Sequence, residues 1–135
     1  MSSTTQASAT IAAVPYQTTL NAASHQWIAD EPAEVGGGNT GPTPMEMLLA
    51  SLGACTSITL KMYANRKQWP LESVHVELQM TTGDGTQIQR KIALSGALSD
   101  EQRARLLQVA NACPVHKVLT GSVQVDSTLV EPVAG

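Results

Sequence analysis

The sequence predicts an α+β fold. Two runs, "SVHVELQM" at 73–80 and "QIQRKIALSG" at 87–96, alternate apolar and polar residues as half-buried strands do. A long apolar segment with helical spacing opens at Pro44. The order strand, strand, helix, strand, strand, helix, strand lacks the regular alternation of a doubly wound sheet. With 135 residues, 42% of them apolar and 14% charged, the chain suffices for one core and leaves no segment that reads as a linker. The expected organisation is a disordered tail over 1–10 and a single domain over 11–135. Phe is absent and Trp and Tyr occur twice each, so the core must be built from Leu, Val, Ile, Met and Ala.

The tail, "MSSTTQASAT", is small, polar and aperiodic. From Ile11 to Ala29, β-branched and aromatic residues alternate with polar ones around a turn at Asn21–Ser24, which predicts a hairpin. A long Gly/Pro loop follows, "DEPAEVGGGNTGPTP" at 30–44, and loops of this length inside compact domains often border sites. The helix is expected from Pro44 to about Lys67. Thr43 is suited to the N-cap, Pro44 to the first helical position, and Glu46 completes a capping box. Leu48, Leu52, Cys55, Thr59 and Met62 fall on one stripe, with Met45, Leu49 and Ile58 alongside. Cys55 is therefore expected mid-helix on the inward face.

Between the two alternating strands, Gly83-Asp84-Gly85 supplies the residues of a tight hairpin. Ser99 opens a second helix with Gln102 at the capping-box position and Leu106, Leu107, Val109 and Ala110 on its apolar face. Pro114 breaks it near Cys113 and starts a fresh turn, "PVHKVL", with Cys113 near the N-cap. "SVQVDSTLV" at 122–130 reads as a closing strand.

Composition removes several classes of function. A net charge of -3 and a pI near 5.5 give no extended basic surface for nucleic acid, and aromatic platforms for bases are scarce. No apolar run is read as approaching the roughly 20 residues that span a bilayer, and the start lacks a signal-peptide pattern, so a cytoplasmic protein with no membrane partner is expected. In a reducing cytosol two distant cysteines are free thiols unless they are catalytic.

Those cysteines, Cys55 in "GACTSIT" and Cys113 in "ACPVHKV", are the first candidates. A thiol at the start of a helical turn meets free amide hydrogens that favour thiolate, whereas a mid-helix thiol on an apolar stripe is pushed toward inertness. On that ground Cys113 is the more acidic of the two. Each also has an ordinary reading as core. Zinc would find Cys113, His116 and Cys55, short of the four ligands of a structural site, so no metal is expected. The loop "GGGNTGPTP" lacks the Lys-Ser/Thr pair of a P-loop. Glu46 is accounted for by its cap, His75 by a solvated strand face, and His25 by a surface or hydrogen-bonded position.

The segments at 30–78, with "DEP" and "TGPTPMEMLLASLGAC", and at 97–119, with "CPVHK", resemble the osmotically inducible protein C family, the OsmC/Ohr-like proteins. The likeness is to the OsmC-like branch rather than to the best understood peroxidases of the family. The resemblance implies strands from two intertwined subunits wrapped around two central helices in a homodimer, with Cys55 and Cys113 close together. It further implies thiol-dependent reduction of organic hydroperoxides or hydrogen peroxide. The helix cysteine, Cys55, would become a sulfenic acid, Cys113 would condense with it to a disulfide, and a dithiol reductant would restore the pair without metal or other cofactor.

Against the family pattern, the residue after Pro44 is Met45, with the acid one position later at Glu46, about 100° further round the helix. No arginine precedes Arg66, and His25 is the candidate replacement cation. The expected site is thus Cys55, Cys113 and Glu46 for catalysis, with Met45, Leu49, Leu52 and His25 toward substrate. The alternative is a non-catalytic dimer of the same fold, binding a small molecule or sensing redox state.

Overall fold

The computed structural model describes residues 3–132. Three antiparallel strands come first: β1 (Ser8–Ile11), β2 (Thr18–Ala22) and β3 (His25–Ala29), with β2 in the centre. Ala22 pairs with His25, so the expected hairpin turns at Ala23-Ser24, with Ala23 at φ 52. β1 corrects the tail assignment. Residues 3–7 carry no regular structure, but Ser8–Thr10 belong to a strand, because Thr10 and Ile11 extend the β2 ladder opposite Thr19 and Thr18.

The loop to the helix is organised from within. Asp30, buried, accepts hydrogen bonds from the Glu31 amide at 2.8 Å, the Thr40 amide at 3.1 Å and the Thr40 hydroxyl. The chain then passes so close to itself that side chains do not fit at two of the glycines. A Cβ on Gly37 would stand 2.0 Å from the Glu31 carbonyl oxygen, and one on Gly41 2.1 Å from that of Ile28. Gly37 and Gly41 of "GGGNTGPTP" thus have a steric cause.

α1 runs Pro44–Lys67. Its capping box is complete: the Glu46 amide donates to the Thr43 hydroxyl at 3.1 Å and the Glu46 carboxylate accepts from the Thr43 amide at 2.9 Å. It ends in a Schellman motif without glycine. Gln68 takes the left-handed conformation at φ 58 and donates to the Asn65 carbonyl, and the Trp69 amide donates to that of Ala64. The buried line along α1 is Leu52, Thr56, Leu60 and Ala64; of the stripe expected from spacing Leu52 is buried and Leu48, Cys55 and Thr59 are half-buried, whereas Met62, with the flanking Met45 and Ile58, is exposed in the single chain. By length and composition α1 is long and apolar enough to cross a membrane, which corrects the statement that no run approaches such a length.

β4 (Ser73–Gly83) and β5 (Gly85–Ser95) form a long hairpin, with Val74, Val76, Leu78 and Met80 half-buried on one face of β4. α2 (Asp100–Val109) begins with the Ser99/Gln102 capping box, and a 3-10 turn at Ala110–Ala112 leads to α3 (Pro114–Thr120). The chain gathers into two compact units: one takes it up to Gly53 with Leu78–Arg90, the other Ala54–Glu77 with the remainder from Lys91. The second unit has a core of Leu60, Ala64, Leu71, Leu106, Val109 and Ala110, flanked by Tyr63, Trp69, Val74, Ile92, Leu94 and Leu98. Burying Leu106 completely contributes about 1.5–3 kcal/mol.

The closing strand expected over 122–130 is not formed. The segment is extended without a ladder, and Val123, Val125, Leu129 and Val130 are exposed. Alternation prepares a segment for a sheet, but a strand exists only with a neighbour to accept its hydrogen bonds, and among the described residues none lies beside it. Residues 133–135 of the expected 11–135 domain lie outside the described ones.

Candidate functional site

Two thiols meet in the second unit. Cys55 is carried at mid-α1, two turns after Glu46 has fixed the start of the helix, and is half-buried. Cys113 is fully buried and forms the N-cap of α3, because Pro114 cannot continue the preceding turn and suits the first helical position. Its sulfur accepts the His116 amide at 3.4 Å, and the Lys117 amide closes the turn on its carbonyl at 3.1 Å. Both cysteines are reduced, and their thiols hydrogen-bond to each other.

Their surroundings separate them electrically. Burial pushes the Cys55 thiol above its ordinary range, and the bond it gives to Cys113 raises it further; the Val115 amide and the Thr59 hydroxyl offset only part of this. Cys113 is also raised by burial, but the bonds it accepts from Cys55, the His116 and Val115 amides and the Thr56 hydroxyl together outweigh that cost and hold it below the usual thiol range. A negative charge on the pair is therefore held more readily by Cys113 than by Cys55. The donors acting most strongly on either sulfur are neutral.

The other candidates belong to the first unit. The Glu46 carboxylate is engaged in the Thr43 cap. Met45 is exposed, Leu49 half-buried and Leu52 buried. His25 is exposed on β3, paired through its backbone with Ala22.

A family model described as OsmC-like protein matches residues 36–128, well over half of the chain. The protein belongs to the OsmC-like family. No curated protein sequence matches it. Solved structures share its fold. An OsmC-like protein from Mycoplasma pneumoniae aligns at a TM-score of 0.74 and 20% identity, over 97% of this chain and 100% of that one. An organic hydroperoxide resistance protein from Elizabethkingia anophelis aligns at 0.65 and 18%, over 90% and 91%. That of Bacillus subtilis aligns at 0.61 and 18%, over 87% and 91%. The α+β, OsmC-like fold read from the sequence is the one observed.

The amide donors that sequence reasoning expected at Cys113 are those of Val115 and His116, whereas it missed two donors of this OsmC-like site, the hydroxyls of Thr56 and Thr59. The two threonines flank Ser57-Ile58 in "CTSIT", and Thr59 lies one turn beyond Cys55, a spacing that could have drawn attention to it. Chemically, two reduced thiols in contact can pass a proton between them and can be oxidised together to a disulfide.

Proposed function

We propose that this OsmC-like protein reduces organic hydroperoxides or hydrogen peroxide by a thiol cycle. The observation that carries the reading is the contact between the reduced Cys55 and Cys113 thiols. The fold shared with organic hydroperoxide resistance proteins supports it. Cys55, the more accessible sulfur, attacks the peroxide and becomes a sulfenic acid. Cys113 then displaces water from it to give the disulfide, before a second peroxide can overoxidise Cys55. A dithiol reductant, unnamed by anything in the chain, restores the pair.

In this reading Met45, Leu49 and Leu52 are the apolar substrate-side residues, suited to alkyl peroxides, with His25 in place of the arginine that the family pattern expects and Glu46 as an orienting carboxylate beside its cap role. The protein acts as a homodimer in the cytoplasm. The exposed Met45, Ile58 and Met62 and the unpaired segment at 122–130 are the surfaces that a second copy covers.

The test is oxidation of reduced protein by sub-stoichiometric alkyl hydroperoxide, followed by thiol titration and intact mass. The expected result is rapid loss of both thiols with loss of two hydrogens, abolished in Cys55→Ser; Cys113→Ser retains an oxidised Cys55. Intact thiols after hours of exposure overturn the reading. They would favour a small-molecule binding or redox-sensing dimer, to which the raised Cys55 thiol and the neutral donors around the pair already lend weight.

A further inference from the structure

Access and charge are divided between the two sulfurs. Cys55 is half-buried in the single chain, whereas Cys113 is 0% exposed, so a peroxide reaches Cys55 first. More donors reach Cys113 than Cys55, which has the Val115 amide and the Thr59 hydroxyl. Cys113 accepts the His116 amide at 3.4 Å, the Val115 amide, the Thr56 hydroxyl and the Cys55 thiol itself. The proton that Cys55 must lose before it can attack therefore lies within hydrogen-bond reach of the sulfur with the larger set of donors. We propose that Cys113 is the general base for Cys55 as well as its resolving thiol. The inference rests on the peroxide-reductase reading and adds a second duty to one residue of it.

The steps balance. The step starts from the pair with a single proton, held on Cys55, and the Cys113 sulfur ionised. That proton moves to the Cys113 sulfur as the Cys55 sulfur bonds to the distal peroxide oxygen and the O–O bond breaks. The Cys55 sulfur is oxidised by two electrons, and the peroxide is reduced to an alkoxide. The alkoxide takes the proton back from Cys113 and leaves as alcohol. Cys113, a thiolate again, attacks the sulfenic sulfur; the S–S bond forms, the S–O bond breaks, and hydroxide departs, taking a proton from solvent to become water. Among the groups that act most strongly on either thiol, the only titratable one is the other thiol. His116, on the same turn as Cys113, acts on it through its backbone amide.

A base and a mere resolver differ in the first step. In single turnovers with an alkyl hydroperoxide, sulfenic acid on Cys55 is trapped with a cyclic 1,3-diketone and timed. Cys113→Ser, whose hydroxyl does not ionise near neutral pH, is expected to form it at least about 10-fold more slowly than wild type near pH 7. Its rate should keep rising into alkaline solution where the wild-type rate has levelled off. Cys113→Asp restores a buried anion at an N-cap without a second sulfur. It is expected to recover most of the first-step rate and to form no disulfide, with circular dichroism confirming that both variants fold.

A serine variant oxidised at the wild-type rate overturns the proposal while leaving the peroxide-reductase reading intact. A slow serine variant that the carboxylate does not rescue, with an unchanged pH profile, marks a packing role and also overturns it. Failure of the peroxide-reductase reading looks different, since wild type itself then forms neither sulfenic acid nor disulfide.

Discussion

Asp30 shows how one side chain holds a segment that a motif search would misread. The Thr40 hydroxyl chiefly, then the Glu31 amide, hold its carboxyl below the usual range; partial desolvation opposes them, and the Thr40 and Gly38 amides add to the lowering. The folded value is thus depressed relative to the unfolded one. The stabilisation is present in full above the unfolded value and is lost as pH falls through the folded one. Asp30→Asn should lower the urea midpoint near pH 7, and the difference from wild type should shrink toward about pH 3. A difference that persists unchanged in acid would contradict this account. Thr56 offers a second test at this scale. Thr56→Val keeps the shape of a fully buried side chain and removes the hydroxyl that donates to Cys113. Disulfide formation should slow about fivefold, the equivalent of one neutral hydrogen bond, in a stopped-flow measurement with hydroperoxide.

At the scale of elements, α1 was legible at both ends, yet for reasons of different quality. Its start is written in Thr43, Pro44 and Glu46, all local, and the capping box forms as those residues require. Its end at Lys67 depends on Gln68 adopting a left-handed conformation that glycine takes more readily. Gln68→Gly should therefore stabilise the protein by about 1 kcal/mol, seen as a higher thermal midpoint; a lower one would show that the Gln68 side chain contributes more than its strain costs. In the second unit, Leu106→Ala removes a fully buried side chain and should cost about 2–5 kcal/mol, measured by chemical denaturation. The inward line of α1 was harder to read. The helix is apolar on several faces, and spacing alone does not say whether Leu60 and Ala64 or Ile58 and Met62 turn to the core of this chain. Packing against Leu106 and Ala110 settles it.

For the molecule as a whole, the exposed apolar residues are the unfinished part of the single chain. Met62 is 63% exposed and Leu129 102%, and the segment that carries Leu129 alternates as a strand without a ladder to join. Such surfaces are costly in water and invite burial. If a second copy covers them, Met62→Glu and Val125→Lys should each shift the protein toward monomer in sedimentation velocity. Wild type that sediments as a monomer would remove the dimer from the proposed function. Net charge and composition bear on this level only weakly, since they describe what the surface is made of and not which part of it meets another chain.

The sequence by itself determined the local elements: a capped helix from Pro44, strands at 73 and 87, a break at Pro114 that makes Cys113 an N-cap. Each depends on neighbours within a turn or two, where backbone sterics and capping act. The tertiary structure alone decided that the Cys113 sulfur gathers donors from α1 as well as from its own turn, and that it lies within hydrogen-bond reach of the Cys55 thiol. Residues far apart in the chain acquire a common electrostatic environment only when a core brings their backbones together, and no spacing along the chain encodes that distance.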